Sequence, residues 1–303
     1  MATITNNLNL PAPLVQAVTR HPRERVPNRI SVTELIQPPQ IRALTLKHEA
    51  QIQEDAGDRL WALLGTLLHG ALEVHAQGLK NLVSEGKLTT TVRGWTVVGH
   101  YDLSEMLLDG ELLTDYKLTS VWSMRDGVKA EWEAQTNLYA ELLRRADRWV
   151  NGIQIVAIGR DWSKLKAKFD RDYPRQQVTV LPVPLWTPEQ ASDYLDERVR
   201  LHQEAEQGHW EDCSAEERWA KPTLYALMKT GQKKAVKLYD TKHAAEMHVA
   251  KGQYVQIRPG TSTRCESYCS VSEFCSQWRA IKDAATKAAN TETSPNQTKE
   301  QAA

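Results

Sequence analysis

The chain has 303 residues, with 38 Lys and Arg against 38 Asp and Glu and a formal net charge of zero. Hydrophobic residues make up 41% and charged residues 25%, which excludes a disordered or fibrous chain and suits one large domain or two small ones. No apolar run reaches the roughly 18–20 residues of a membrane span, no signal-peptide pattern opens the chain, and the charge balance gives a purely electrostatic nucleic-acid binder no direct support.

Residues 1–30 are rich in Asn, Pro and Arg without a clear period and are expected to form a loose N-terminal arm. Residues 31–50 read as a short helix, a break at Pro38-Pro39 and a second helix. Residues 55–80 carry a helical period, with Leu60, Leu63, Leu64, Leu67, Leu68 and Leu72 on one stripe. His69 and Glu73, four apart, share a face of that helix. The period then changes. Residues 89–118 predict an antiparallel meander of short strands broken at Gly94, Gly99 and Gly110. Asp109 and Glu111 flank the last glycine as solvated turn charges.

A helix is predicted over residues 130–147, with Gln135, Leu138, Tyr139 and Leu142 on one face. Residues 152–160 and 177–186 read as strands. Thr187 before Pro188 and Glu189 is an N-cap that opens a long helix. Together these elements give a core over residues 31–207. Residues 208–280 shift toward Trp, Lys and Cys and form a small C-terminal subregion expected to pack on that core. Residues 281–303 have almost no apolar bulk and predict a frayed helix and a disordered tail.

Two short pieces carry chemistry. One acidic residue, Asp102, ends Gly99-His100-Tyr101-Asp102. A second, Asp115, stands two before Lys117 on the next strand, so Asp115 and Lys117 share a face. Two carboxylates converging from paired strands make a hard-oxygen site for Mg²⁺ or Mn²⁺. Such an ion activates water toward a phosphodiester, and a neighbouring ammonium stabilises the charge that develops. Asp-x-Lys alone is weak, because two acids and a lysine on neighbouring strands are common as surface charges.

The context adds GTLLHGALE at 65–73, GHYD at 99–102, TDYK at 114–117 and QTNLYAELL at 135–143. In this order the chain resembles the RecB-type branch of the PD-(D/E)XK nuclease superfamily, most closely over residues 60–160. The resemblance implies an α/β, restriction-endonuclease-like fold with a central mixed sheet flanked by helices. It implies His69, Asp102 and Asp115 as metal ligands, with the backbone carbonyl of Tyr116 beside them. It implies Lys117 as the catalytic lysine, with Gln135 and Tyr139 contacting DNA or supporting the site. Glu73 is either a further ligand or a salt-bridge partner.

Four cysteines, Cys213, Cys265, Cys269 and Cys275, occur in the chain, three of them within eleven residues. In a chain of this size without secretion signals they suggest a metal or cluster more than disulfides. Spacing alone leaves tetrahedral zinc and an iron–sulfur cluster open. The nuclease resemblance implies a [4Fe–4S] cluster, with structural Zn²⁺ as the alternative. The chain departs from the family plan, in which the lone cysteine precedes the His motif, so Cys213 is the least certain ligand.

Trp162 sits among Arg160, Lys164, Lys166 and Lys168 in a pattern that suits base stacking, although Trp also fills cores. Lys229, Lys233, Lys234 and Lys237 are a candidate phosphate track. No G-x4-G-K-[S/T] loop is present, so a helicase or single-strand annealing partner would act in trans. The expected function is a DNA exonuclease of recombination or repair, similar to those of bacteriophages, in the cytoplasm of a bacterial or phage-infected host cell. A restriction-type endonuclease, a CRISPR spacer-processing nuclease and a silent DNA-binding module are the alternatives.

Overall fold

The computed structural model describes residues 3–19, 26–125 and 127–292, with side chains up to residue 286. The chain divides into two compact units, Met1–Arg42 with Gln53–His209 and Ala43–Ile52 with Trp210–Ala303. The first unit runs β1 (Thr3–Thr5), α1 (Ala12–Val18), β2 (Arg29–Ser31) and α2 (Val32–Leu35). Helix α3 (Pro39–His48) straddles the division. There follow β3 (Gln53–Asp55), a 3-10 turn at Ala56–Arg59 and α4 (Leu60–Ala76). The remainder is β4 (Leu82–Val92), β5 (Trp95–Leu107), β6 (Gly110–Thr119), α5 (Val121–Arg125), α6 (Ala130–Arg144), β7 (Val150–Gly159), α7 (Lys164–Phe169), β8 (Val178–Val183) and α8 (Pro188–Glu206).

The fold is α/β. Six strands form one mixed sheet in the order β2-β5-β6-β7-β8, with β4 also paired to β5. β2 and β5 are parallel, as are β6 and β7; the other pairs are antiparallel. β4 occupies one edge of β5 along nearly its whole length. The other edge is shared, with β2 against Thr96–Val98 and β6 against Leu103–Leu107. Between them, residues 99–102 have no strand partner on that edge.

Helix α6 covers the sheet. Its Leu138, Leu142 and Leu143 are buried with Ile30, Val97, Ile155 and Leu195 in one core cluster. Gly99 lies beneath it: a Cβ there would meet Leu142 Cδ2 at 3.0 Å and Tyr139 Cδ1 at 3.1 Å. That close approach, rather than a chain break, is the reason for the glycine, and β5 runs straight through it. The meander is also longer than the sequence pattern predicts, since β4 begins at Leu82. Thr187 caps α8 through a reciprocal bond pair with Gln190.

The N-terminal segment is not simply a loose arm. β1 pairs in parallel with β3, and Asp55 Oδ2 accepts from Thr5 Oγ1 and Asn7 N, each at 2.9 Å. β2 adds to the main sheet with Ile30 buried. Backbone pairing and one carboxylate order this stretch, and neither leaves a periodic apolar pattern to read. Residues 20–25 of the expected arm lie outside the described residues.

The leucine stripe of α4 also differs from a core stripe. No residue of α4 is buried, and Trp61, Leu64, Leu67 and Val74 are exposed. Glu111 is no solvated turn charge: it is buried, and Arg148 grips it through Nε at 2.8 Å and Nη2 at 2.6 Å.

The second unit contains β9 (Ala220–Lys221), β10 (Leu224–Lys229), β11 (Lys237–Tyr239), α9 (Lys242–Glu246), β12 (Gln253–Arg258), β13 (Thr261–Ser262), α10 (Thr263–Ser267), a 3-10 turn at Ser272–Phe274 and α11 (Ser276–Glu292). β10 is the central strand between β11 and β12. This unit also takes residues 43–52, which the sequence pattern assigns to the core. His48 stacks on Phe274 with ring centroids 4.2 Å apart, a pairing of distant residues that no local pattern encodes. α11 carries the predicted tail into a regular helix as far as Glu292; residues 293–303 lie outside the described residues. Among the described residues no helix is long and apolar enough to cross a membrane.

One buried group of the first unit makes the fold sensitive to acid. His202 on α8 is fully buried, with Nε2 3.1 Å from the Leu35 carbonyl and no hydrogen bond to Nδ1. The ring is therefore neutral and donates through Nε2. Burial, assisted by the Arg198 charge, pushes its pKa down to about 4, against the pull of the Leu35 carbonyl. An unfolded histidine titrates near 6.5, so below that pH the unfolded chain binds the extra proton. Stability is intact above pH 6.5 and falls by about 3 kcal/mol as the pH drops toward 4, at 1.36 kcal/mol per pH unit. Urea unfolding from pH 7 to 4.5 should show this loss in the wild type and a flatter profile in His202→Leu. Identical profiles would contradict the assignment.

Candidate active site at the strand fork

The β5–β6 ladder ends at Leu103↔Thr114. Past this pair β6 continues against β7 alone. The sheet therefore forks, and Asp102 and Asp115 flank the fork. Asp102 Oδ2 accepts from the Tyr116 backbone N–H at 2.7 Å, taking the place of a ladder bond. Its other oxygen, Oδ1, lies 3.2 Å from His69 Nδ1. Helix α4, which lies against β4 and β6, supplies this histidine.

Asp115 is buried beside the fork. Lys117 Nζ stands 2.8 Å from its Oδ2, a close ion pair, yet that oxygen receives no well-directed hydrogen bond. Burial raises the Asp115 pKa and the Asp102 charge adds to this, while Lys117 and His69 oppose it. Lys117 Nζ also donates to Gln135 Oε1 at 2.9 Å, and Gln135 Nε2 donates to the Tyr139 hydroxyl at 2.8 Å. An ammonium can only donate, so it fixes which end of the amide faces it. Two side chains of α6, four residues apart, thus aim the lysine. Burial and the nearby Asp115 charge raise the Tyr139 pKa, so the hydroxyl keeps its proton. Its place is behind Gln135, as a support.

Glu85 joins this group although none of the sequence motifs contains it. Its Oε1 lies 3.6 Å from His69 Nδ1. Ligand atoms of His69, Glu85 and Asp102 lie within 4.8 Å of one another, the only such set among the described residues. Asp115, expected in that set, stands outside it because its carboxylate is turned to Lys117. Glu85 has φ of 50° and interrupts the β4–β5 ladder between Ser84↔Leu103 and Gly86↔Tyr101, where it faces Asp102. Gly86 makes room for Tyr101, whose ring would lie 2.0 Å from a Cβ there. The hydrogen bond to Asp102 raises the His69 pKa against the effect of burial, and burial with the Asp102 charge raises that of Glu85. A cavity of 180 Å³ opens beside the three residues, lined also by Leu72, Glu73, Leu79 and Tyr116.

The other candidates separate. Glu73 lines the cavity but lies outside the donor set. Trp162 is not a free stacking platform: it packs on the core, and its indole N–H donates to the Pro174 carbonyl at 2.9 Å. Trp61, overlooked in the sequence, is exposed, with the Arg160 guanidinium 4.1 Å above its ring. Lys229 and Lys237 lie on the β10–β11 hairpin with Lys233 and Lys234 in its turn, and Lys237 rests over Tyr239.

In the second unit no disulfide joins Cys213, Cys265, Cys269 or Cys275. Gln277 clamps Cys213 from both sides: Oε1 accepts from its N–H at 3.0 Å, and Nε2 donates to its carbonyl at 2.7 Å. Arg218 adds a bond to the same carbonyl, and β9–β13 pairing holds the flanking segments together. Burial pushes the Cys213 thiol up to about 12, with Glu217 and the other three sulfurs contributing. Burial raises Cys265 and Cys269 as well.

No family model matches the chain, and no curated protein matches it. Among solved structures, one described as the crystal structure of SSO0001 superposes with a TM-score of 0.42 at 18% identity, covering 65% of this chain and 82% of that one.

Gly86→Ala tests the local geometry. The added methyl collides with the Tyr101 ring, which is buried and bonded to Arg148 and so has no free direction of retreat. Overpacking of this kind costs about 1–3 kcal/mol. The variant should lose that much in chemical denaturation, and a change within 0.3 kcal/mol of zero would show that the ring can move.

Proposed function

We propose that the chain is a divalent-metal-dependent deoxyribonuclease that hydrolyses phosphodiester bonds in recombination or repair, most simply as an exonuclease. The observation that carries this reading is the fork, where Asp102 and Asp115 stand on adjacent strands with Lys117 anchored beside Asp115. The donor set fits a cation. A buried Asp115 oxygen has charge compensation but no directed hydrogen bond, and Asp102 turns one oxygen outward to His69. Asp102, Asp115 and His69 would hold Mg²⁺ or Mn²⁺, with the Tyr116 carbonyl as a further oxygen donor. Such an ion polarises a phosphate and makes bound water more acidic.

The remaining steps belong to the side chains. Lys117 is positioned to orient the attacking water or to stabilise charge on the phosphate. Gln135 keeps its ammonium from collapsing wholly onto Asp115, and Tyr139 keeps Gln135 in place. DNA is the partner this chemistry requires, and a helicase or annealing protein would present it.

The four cysteines suit a [4Fe–4S] cluster as a structural tie within the second unit. Burial raises the thiol pKa of Cys213, Cys265 and Cys269, and a bound cation would favour their thiolates. A single zinc with Zn–S bonds of about 2.3 Å needs sulfurs about 3.8 Å apart. Zinc held by the four thiolates is the alternative.

Asp115→Asn should lower cleavage of linear DNA with Mn²⁺ by on the order of 100-fold or more. Lys117→Met should lower the rate by on the order of 100- to 1000-fold with little change in DNA affinity. Nuclease assays with end-labelled linear and covalently closed circular DNA, beside binding assays, test both. Full activity in Asp115→Asn would end the proposal, and digestion of circles would replace the exonuclease by an endonuclease. Protein purified without oxygen should contain iron and acid-labile sulfide, and Cys265→Ala should lose both. One zinc per chain and no iron would assign a zinc site instead.

A further inference from the structure

We propose that Glu85 is itself a metal-coordinating residue and completes, with His69 and Asp102, a three-donor site that prefers Mn²⁺ to Mg²⁺; its use in cleavage rests on the nuclease reading, its binding of the ion does not. The spacing is that of a coordination sphere. Bonds of about 2.1 Å set neighbouring octahedral donors about 3.0 Å apart. His69 Nδ1 lies 3.2 Å from Asp102 Oδ1 and 3.6 Å from Glu85 Oε1.

The charges also call for a cation. Glu85, Asp102 and Asp115 act electrostatically on His69 together. Among the described residues, His69 is the one basic side chain within ion-pair distance of Glu85. Lys117 is taken up by Asp115 and Gln135. One imidazole nitrogen among carboxylates favours Mn²⁺ and later transition ions over the oxygen-loving Mg²⁺.

The test is a Mn²⁺ titration of the full chain, followed by the loss of the free-ion electron paramagnetic resonance signal. It compares the wild type with Glu85→Gln, Glu85→Asp and Glu73→Gln. Removal of a first ligand should weaken Mn²⁺ by about tenfold or more in Glu85→Gln. Glu85→Asp should fall between, and Glu73→Gln should match the wild type. Thermal unfolding of the metal-free variants checks that the fold survives. Wild-type affinity in Glu85→Gln would overturn the inference while leaving any nuclease activity standing. Binding that depends on Glu85 in a protein that cleaves no DNA would uphold it and remove the nuclease reading instead.

Discussion

The first unit depends on what happens to one backbone N–H. A strand leaving its partner must find another acceptor for each amide that pointed at that partner. At Tyr116 the acceptor is a side chain, Asp102 Oδ2. The bond lets β6 part from β5 while both remain in the sheet, and it fixes the Asp102 carboxylate plane. The second oxygen then has one direction left, toward His69. Strand alternation sends Asp115 and Lys117 to the same face one residue either side of Tyr116. One hydrogen bond thus closes the sheet and orients the site.

β6 also carries two buried carboxylates whose surroundings differ. Glu111 and Asp115 are both buried and lie four residues apart. Burial would raise both. At Glu111 the Arg148 fork and the Ser104 hydroxyl more than offset it, and the pKa is lowered. At Asp115 one lysine, shared with Gln135, does not offset it, and the pKa is raised. Perturbed carboxylates of the second kind cluster at functional sites, which is why Asp115 enters the proposed metal centre.

The elements legible in the sequence were those set by local physics. Thr187 before Pro188 and Glu189 announces α8, Gly110 with φ of 142° announces the β5–β6 hairpin, and the period of α6 shows in its apolar residues. The spacing of Asp102, Asp115 and Lys117 is also local once two strands are recognised. What could not be read depends on distant pairing. Glu85 sits on a strand with no motif, and its place opposite Asp102 follows only from the register of β4 on β5. The leucines of α4 look like a core stripe, yet periodicity reports a face and not what covers it. Trp162 among lysines looks like a stacking platform until Pro174, twelve residues on, takes its indole N–H.

The cysteine region solves a different problem by similar means. A shared centre would need Cys213 brought to sulfurs more than fifty residues away in the chain. Gln277 solves this with one amide that satisfies both backbone groups of Cys213, which fixes the peptide rather than the thiol. Arg218 ties the same carbonyl to Ser262 at the end of β13, where the three other cysteines begin. Raised pKa values at the sulfurs are the cost of assembling them, as the raised pKa of Asp115 is at the fork. In both places, hydrogen bonds to backbone or amide groups carry the positioning: Asp102 takes the Tyr116 N–H, and the Gln277 amide holds the Cys213 backbone.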